Sequence, residues 1–324
     1  MPNCLNNDNI RLLLNKKMKK NRIIITGGKG FIGSHLIKNL TAKNYKNLLS
    51  IDKHKSKNQS TKTVVGDFFD TKILNNTLQK DDTVIHMACS SVPALSETDK
   101  EKDIQENLIG SIKLFQACVE KQVKKVIYFS SGGTVYGNYG KRAIKETDAQ
   151  NPFNAHGAMK LAVEKYLQVF SHVHGLNYII LRPGNPYGRT IDNHKNQGII
   201  DIFLKKITNN EPLEIWGDGK IVRDYIHIND LTGLIIKIIE NEVNNEIFNA
   251  GTGIGTSINE LIKIIKKTTG KNITVNYRGT RNFDVKYNIL NIEKAKKLLN
   301  WQPRINIEQG VKMHVATLKI SNKK

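Results

Sequence analysis

The strongest constraint on the fold is a glycine-rich turn that joins an apolar strand to a helix near the start of the chain. Residues 23–25 are three isoleucines, the turn follows them, and apolar residues then recur at helical spacing as far as Leu40. The glycines Gly27, Gly30 and Gly33 permit a tight bend, a close approach of the backbone to a pyrophosphate and close packing of helix on sheet. The amides and the dipole at the helix start favour a bound phosphate.

A second apolar strand, residues 48–51, ends at Asp52, about 20 residues beyond the last glycine. A carboxylate at this place can accept hydrogen bonds from the hydroxyl groups of a ribose. Glycines alone are weak evidence, because they also form ordinary turns. Strand, glycines, helix, strand and acid in this order predict a dinucleotide-binding unit.

The length of 324 residues is enough for one large or two moderate domains. Apolar residues make up 39% of the chain, and no apolar run reaches the ~20 residues that a membrane-spanning helix needs. Residues 1–20 are mostly polar and basic, and their only apolar run is Leu12-Leu13-Leu14, which predicts a disordered extension with Met18 as an alternative start. Three cysteines without a Cys-x-x-Cys pair predict no metal site and no disulfide framework, and they favour a cytoplasmic location.

The net charge of +21 raises the question of nucleic-acid binding. Only nine of the 50 basic residues are arginines, and the lysines are spread over the whole chain. This distribution favours a solvated surface over a binding groove, so we expect neither nucleic acid nor a membrane as a partner. A basic protein still attracts anionic small molecules.

Strand and helix patterns alternate through the first half of the chain, which predicts an α/β fold with a Rossmann-type doubly wound parallel sheet. After the first unit, the predicted strands are 63–65, 83–87, 125–129 and 178–181, and the predicted helices are 73–78, 103–120 and 155–174. The helix over 103–120 is expected to face inward with four apolar residues, Leu108, Ile112, Phe115 and Val119. Ligands in such sheets bind at the carboxyl ends of the strands.

Beyond residue 181 the alternation loosens and the elements become shorter. Helices are predicted at 198–209, 229–241, 257–268 and 291–299, with strands at 213–216 and 246–249. We therefore predict a dinucleotide-binding domain over 21–181 and a smaller C-terminal α/β substrate domain over 182–324. A cleft between them is the expected substrate site.

Ordered motifs run through the whole chain. After TGGKGFIG at 26–33 come GD at 66–67, VIHMA at 84–88, Asn107, SSGGTVYG at 130–137, Lys160 with Glu164, RPGNPYG at 182–188, GDG at 217–219 and RDYIH at 223–227. With these motifs the chain resembles the extended short-chain dehydrogenase/reductase family, in particular its nucleotide-sugar epimerases of the UDP-glucose 4-epimerase type. The resemblance covers residues 21–318.

The resemblance implies a tightly held NAD in the first domain. The cofactor-binding residues that it implies are Gly27, Gly30, Phe31, Ile32, Gly33, Asp52, Asp67, Phe68, Met87, Ala88, Cys89, Asn107, Ser130 and Lys160. An acid at position 52 favours NAD, because it repels the 2′-phosphate of NADP. The neighbouring Lys53 and Lys55 oppose that preference, and Asp67 is also explained by an ordinary turn.

The resemblance also implies a nucleotide sugar, of the UDP type, as substrate of the second domain. Asn185, Arg223 and Arg281 match positions that contact the diphosphate, Ile215 and Trp216 match the segment beside the uracil, and Asp284 matches the residue that holds the ribose. Arginine suits phosphate because its planar fork donates two hydrogen bonds. A surface salt bridge is the alternative for each arginine. The family also implies a homodimer formed through the helices 103–120 and 155–174.

The sequence departs from the family at its catalytic pair. The family's Tyr-x-x-x-Lys reads His156-x-x-x-Lys160 here, and the position that often carries a catalytic hydroxyl is Gly132. Ser131 or Thr134 is then the candidate hydroxyl. Histidine has a usual pKa of about 6.5, which suits a general base, but its ring ends roughly 2 Å short of a tyrosine oxygen. Two hypotheses follow: an epimerase in which His156 is the base, and a family member that binds the ligands with weak or lost turnover.

The remaining histidines are expected to be structural. His86 follows a buried strand and is predicted to be a satisfied core residue. His172 and His174 resemble a metal pair by spacing, but no acid or cysteine accompanies them at ligand spacing. We expect them near the end of a helix, where a cation suits the dipole.

Overall fold

Seven strands form the sheet on which the predicted site is built, in the order β10-β6-β5-β4-β1-β2-β3. They are β1 (Ile23–Thr26), β2 (Leu48–Asp52), β3 (Lys62–Val65), β4 (Thr83–His86), β5 (Lys125–Phe129), β6 (Tyr178–Pro183) and β10 (Glu246–Ala250). A computed structural model describes residues 21–54, 61–91, 93–188, 198–280 and 285–321. The predicted α/β class with a doubly wound sheet is confirmed.

The order of the strands reverses at β1. From β1 the chain proceeds outward to β2 and β3, and then returns to β4 on the other side of β1; these pairs and β4–β5 are all parallel. Strands β1, β4 and β5 are buried along their whole length, as their β-branched and apolar sequences predict. The point of reversal, beside the carboxyl ends of β1 and β4, is where such sheets bind ligands.

In chain order the helices of the described residues are α1 (Phe31–Ala42), α2 (Thr71–Thr77), α3 (Pro93–Thr98), α4 (Lys100–Asp103), α5 (Gly110–Glu120), α6 (Ala155–His174), α7 (Ile199–Thr208), α8 (Ile228–Glu240), α9 (Ile258–Thr269), α10 (Glu293–Leu299) and α11 (Ile307–Ser321). Helices α1 to α8 lie between the strands of the seven-stranded sheet along the chain, and three more follow the last of these strands. None of the helices in the described ranges combines the length and apolar character that a membrane span requires.

The predicted helix over 103–120 is not continuous. A π-helical segment, Ile104–Ile109, separates α4 from α5. Of the four side chains expected to face inward, only Phe115 is buried, whereas Leu108, Ile112 and Val119 are half-buried. The wider π turn changes the angle between successive side chains, so a face extrapolated at 3.6 residues per turn is displaced.

Contacts divide the chain into two units. Unit 1 comprises residues 1–129, 162–180 and 235–246, and it contains β1 to β5. Unit 2 comprises 130–161, 181–234 and 247–324. The remaining strands are β7 (Asn185–Tyr187), β8 (Leu213–Trp216), β9 (Val222–His227), β11 (Gly255–Ser257), β12 (Val275–Arg278) and β13 (Tyr287–Asn288).

The described part of unit 2 contains two small sheets and a large apolar core, with a smaller apolar cluster around Val135, Ile144 and Leu290. Strand β9 pairs with β7, β11 and β13, while β8 pairs with β12. Helices α7, α9 and α11 cover the core with buried side chains that include Phe203, Leu261 and Val311. Ser257 and Glu260 form a capping box at the start of α9.

We expect the stability of the protein to depend on pH through His314, which lies on α11 and is 6% exposed. Burial lowers the pKa of His314 to about 4, below the value of about 6.5 in an unfolded chain. The unfolded chain therefore binds this proton first, and the contribution to stability, full above pH 6.5, is lost as the pH falls towards 4. The loss of stability is at most about 3 kcal/mol. Asp201 lies 3.3 Å from His314, and its carboxylate offsets part of this loss by attracting the protonated ring. Urea unfolding between pH 7 and 4.5 measures the change in the free energy of unfolding. A His314→Gln variant with the same pH dependence as the wild type would contradict the expectation.

Candidate active site

The glycine-rich turn lies at the carboxyl end of β1, against the segment that follows β4. Gly27 has a φ of +74°, and a Cβ on it would lie 2.9 Å from the backbone of Ala88. A Cβ on Gly33 would overlap the carbonyl oxygen of Gly27. No side chain caps the start of α1, where Gly30 is the N-cap residue. The turn thus presents a closely approachable backbone and a helix start, which fits a pyrophosphate.

Asp52 ends β2 and is hydrogen-bonded to this turn. Its carboxylate accepts the N–H of Lys29 at 3.0 Å and the N–H of His54 at 3.4 Å. Phe31 and Ile32 form the first turn of α1. The acid predicted to hold a ribose and the helix predicted to hold phosphate are therefore neighbours.

Lys53 is engaged by two acids. Its ammonium nitrogen lies 2.9 Å from Asp67 Oδ1 and 4.0 Å from Glu106 Oε2, and the hydrogen bond to Asp67 raises the pKa of Lys53. A 2′-phosphate would have to compete with both carboxylates for this amine, so Lys53 gives little support to NADP. Phe68, predicted beside the adenine, is buried, and Lys55 lies outside the described residues.

The segment 87–89 and Asn107 are held near the same strand ends. The N–H of Ala88 donates to Thr26 Oγ1 at 3.2 Å, at the end of β1. Asn107 lies in the π-helical segment, and its Oδ1 accepts the N–H of Ser90 at 2.9 Å. The residues predicted to bind the cofactor in unit 1 thus surround the carboxyl ends of β1, β2 and β4.

The start of α6 rests on the segment that carries Thr134. Asn154 caps the helix, because its side chain accepts the N–H of Gly157 at 2.8 Å. A Cβ on Gly157 would lie 2.6 Å from the carbonyl oxygen of Thr134, so this approach requires glycine. His156 and Lys160 follow at helical spacing and are 8% and 6% exposed. Unit 2 therefore brings the predicted base, lysine and hydroxyl segment together.

Thr134 is a stronger candidate for the catalytic hydroxyl than Ser131. Its Oγ1 is buried and has no hydrogen-bond partner within the described part of the chain. A buried hydroxyl without a partner is costly, and such groups are often completed by a ligand. Ser131 is half-buried, and its carbonyl accepts the N–H groups of Thr134 and Val135. Ser130 is buried at the end of β5, and its N–H donates to the Leu181 carbonyl at 2.8 Å.

Tyr136 is committed to a structural network. Its hydroxyl donates to Asn249 Oδ1 at 2.7 Å and accepts from an Arg182 guanidinium nitrogen at 2.9 Å. The tyrosine is fully buried, and the Arg182 guanidinium also lies 4.8 Å from the centre of its ring. These contacts support the interpretation that Tyr136 does not replace the missing catalytic tyrosine.

Restoring a hydroxyl at position 132 is expected to destabilise the protein. A Cβ on Gly132 would lie 2.8 Å from the carbonyl oxygen of Arg182 and 2.7 Å from Leu290 Cδ1. We expect Gly132→Ser to lower the free energy of unfolding by about 1–3 kcal/mol. Gly133→Ser is the matched control, because the nearest atom there is Asn185 Oδ1 at 3.8 Å. Denaturant unfolding compares the two, and equal stabilities would contradict this packing argument.

A cavity of about 220 Å³ opens in unit 2 and gathers four of the predicted substrate residues. They are Asn185, Ile215, Trp216 and Arg223. The point where a Cβ on Gly133 would lie is 3.8 Å from Asn185 Oδ1 and 4.0 Å from Ser131 Oγ, so the cavity wall adjoins the Ser131 turn. Arg281 and Asp284, the other two predicted residues, lie outside the described residues.

Five residues that no sequence motif had indicated also line the cavity. They are Ile199, Glu214, Ile221, Tyr225 and Ile258. Glu214 is bonded across the β8–β12 pair to Asn276 and Arg278, and these hydrogen bonds lower its pKa. Strand alternation was the available signal, because Glu214 and Trp216 are two residues apart and share a face of β8.

The described histidines, cysteines and acids do not assemble a metal centre: no group of three that could hold an ion occurs among them. His172 and His174 lie in the last turn of α6, as predicted. Cys89 and Cys118 are free thiols, and burial raises the pKa of Cys118 far above its usual value.

Comparison with known proteins places these features in one family. The model of the NAD dependent epimerase/dehydratase family matches residues 23–251. A putative UDP-glucose 4-epimerase of Methanocaldococcus jannaschii is 32% identical over 93% of this chain and 99% of its own. The UDP-glucose 4-epimerase of Thermotoga maritima, solved with UDP-glucose, is 33% identical with a TM-score of 0.86, covering 93% of this chain and 99% of its own.

The enzyme of the same name from Thermus thermophilus, solved with NAD, is 27% identical with a TM-score of 0.84, covering 92% of this chain and 99% of its own. The expectation of NAD as cofactor is confirmed, and the turn, helix start and acid of unit 1 fit that molecule. The chain belongs to the NAD dependent epimerase/dehydratase family.

Proposed function

We propose that this protein is a nucleotide-sugar 4-epimerase that acts on a UDP-hexose and uses His156 as its general acid and base. The observation that carries the proposal is the start of α6, which holds His156 and Lys160 against the Thr134 segment. UDP-glucose in the structure from Thermotoga maritima supports the substrate class.

Bound NAD supplies a hydride acceptor and donor. His156 accepts the proton of the sugar's 4-hydroxyl as C4 is oxidised, and it returns that proton to the same oxygen when the rotated ketone is reduced on its opposite face. His156 is the second residue of α6, at the end of the helix that carries the positive end of its dipole. Lys160 binds the nicotinamide ribose and stabilises developing negative charge, and Thr134 donates to the sugar oxygen the hydroxyl that has no partner among the described residues.

The cavity of unit 2 suits the nucleotide end of such a substrate. Arg223 and Asn185 provide donors for the diphosphate, and Trp216, 45% exposed, offers its ring to the uracil. The bonds from Arg278 and Asn276 offset the charge of Glu214 in the same wall. The family resemblance implies Arg281 and Asp284 as further substrate-binding residues, and both lie outside the described residues.

We also propose a homodimer in the cytoplasm. Tyr166, Val169 and Val173 are exposed on one face of α6, at intervals of three and four residues. Ile104, also exposed, begins the π-helical segment. Exposed apolar side chains on the two helices that the family uses for pairing support burial of this surface by a second copy.

A second candidate is a protein that binds NAD and nucleotide sugar with little or no turnover. The shorter side chain of His156 favours it, because misplacement of a base by about 1 Å can cost about 100-fold in rate. In the epimerase hypothesis, a water molecule bridges the short imidazole side chain and the hydroxyl of the sugar.

Deuterium at sugar C4 tests the proposed reaction. When UDP-[4-²H]glucose is incubated with the protein and NAD, we expect UDP-galactose that retains deuterium at C4, because the hydride leaves and returns on the same cofactor. Loss of the label to solvent would contradict hydride transfer at C4. Binding of NAD and UDP without any product would favour the second candidate.

A further inference from the structure

His86, predicted to be a plain core residue, uses both of its ring nitrogens at the end of β4. Its Nδ1 lies 2.8 Å from Thr26 Oγ1, and its Nε2 lies 2.9 Å from Ser111 Oγ. The residue is 1% exposed, and its ring packs on Phe68 with 4.8 Å between centroids. Burial of this kind favours a neutral imidazole, which has one donor and one acceptor nitrogen.

The groups at the two ends of this series of hydrogen bonds determine where each proton lies. The hydroxyl of Ser111 donates to the carbonyl oxygen of Asn107 at 2.5 Å, and a carbonyl can only accept. Ser111 has then used its single proton, so Nε2–H of His86 must donate to Ser111 Oγ. At the other end, Thr26 Oγ1 accepts the N–H of Ala88 and donates its own proton to Nδ1. His86 is therefore the Nε2–H tautomer.

Thr26 and Asn107 stand at the two ends of this series of hydrogen bonds, and they hold the two ends of one segment of the backbone, residues 87–91. Thr26 holds the amide of Ala88 near its start. Asn107 holds its far end, because Asn107 Oδ1 accepts the N–H of Ser90, and the orientation of that amide is set by a 2.7 Å bond from its Nδ2 to Asp103. All of these groups belong to unit 1.

We infer that His86 is a positioning residue for the NAD site, and that its Nε2–H tautomer couples the glycine-rich turn, the segment 87–91 and the π-helical segment that carries Asn107. Because His86 is 1% exposed, this role is exercised through the residues that it bonds. The inference rests on the proposed assignment of the segment 87–89 and Asn107 to that site. It predicts that the hydrogen bonds of His86, rather than its bulk, determine NAD affinity.

Calorimetric titration with NAD tests the role in three variants. Ser111→Ala removes the acceptor for Nε2 and leaves His86 in place, and we expect about a tenfold rise in the dissociation constant, the scale of one lost buried hydrogen bond. We expect His86→Leu to raise the dissociation constant at least as much. The double variant should raise it no further than His86→Leu alone, because both changes break the same series of hydrogen bonds. Phe115→Leu is the matched control, since Phe115 packs on His86 with 6.2 Å between ring centroids and takes no part in these hydrogen bonds.

The control is expected to stay within twofold of the wild-type dissociation constant. A change below twofold in Ser111→Ala, additive losses in the double variant, or an equal loss in Phe115→Leu would each overturn the positioning role. Long-range ¹H–¹⁵N correlation spectra report the tautomer independently, and a protonated Nδ1 on His86 would also overturn it. A wild-type protein that shows the Nε2–H tautomer but binds no NAD would refute the proposed function, and the positioning role with it.

Discussion

Replacing His156 with alanine is expected to lower kcat for 4-epimerisation by about 10²- to 10⁴-fold, the usual contribution of a positioned general acid–base group. The change leaves the cap of α6 in place, because Asn154 accepts its bond from the backbone of Gly157. We therefore expect a KM within a few-fold of the wild-type value and little change in melting temperature. Steady-state kinetics with UDP-glucose, read by proton NMR, measures the effect.

His174→Ala is the matched control for this prediction, since it removes an exposed histidine from the last turn of the same helix. Its kcat should equal that of the wild type. A His156→Ala variant with unchanged kcat would show that another group carries the proton. A loss of kcat accompanied by an equal rise in KM and a lower melting temperature would instead indicate a structural role for His156.

Replacing Asp224 with alanine is expected to lower the free energy of unfolding by about 4 kcal/mol or more, because each buried donor left without a partner costs about 1–3 kcal/mol. Asp224 is fully buried on β9 and accepts four hydrogen bonds. They come from the N–H and hydroxyl of Thr252, both at 2.7 Å, the N–H of Gly253 at 3.0 Å and the N–H of Leu290 at 3.2 Å. Burial raises the pKa of Asp224, and these bonds act in the opposite direction.

Asp224→Asn is the matched variant, because its amide oxygen can still accept from Thr252 while Gly253 and Leu290 lose their acceptor. We expect it to lose about half as much stability as the alanine variant. Both variants should also bind UDP more weakly, because Arg223 lines the cavity and directly precedes Asp224 on β9. Urea unfolding and UDP titration check the two expectations. An alanine variant within about 1 kcal/mol of the wild type would contradict the account of this network.

The sequence carried enough information to predict the sheet and the glycine-rich turn at the end of β1, where the candidate cofactor site lies, because both depend on local signals. Isoleucines, glycines and Asp52 lie within about one β-α-β unit, and their order determines the turn, the helix start and the acid. The helix predicted over about 155–174 agrees with the bounds of α6.

Features that depend on contacts distant in sequence were missed. The π turn before α5 lies beside tertiary bonds such as His86 to Ser111, and periodicity reveals neither. Glu214 enters the cavity wall because β8 pairs with β12, whose Asn276 is 62 residues away. The need for glycine at position 132 arises from the Arg182 carbonyl and Leu290, which are distant from it in sequence.

The central claim is that a histidine at position 156 supports 4-epimerisation on this scaffold. The most direct measurement is turnover of UDP-glucose, UDP-galactose and their N-acetyl forms by the wild-type protein with added NAD, followed by proton NMR beside a His156→Tyr variant. We predict that the wild-type protein interconverts at least one of these pairs. Turnover by the variant alone would contradict the claim, because the scaffold would then be competent and His156 would not be a working base.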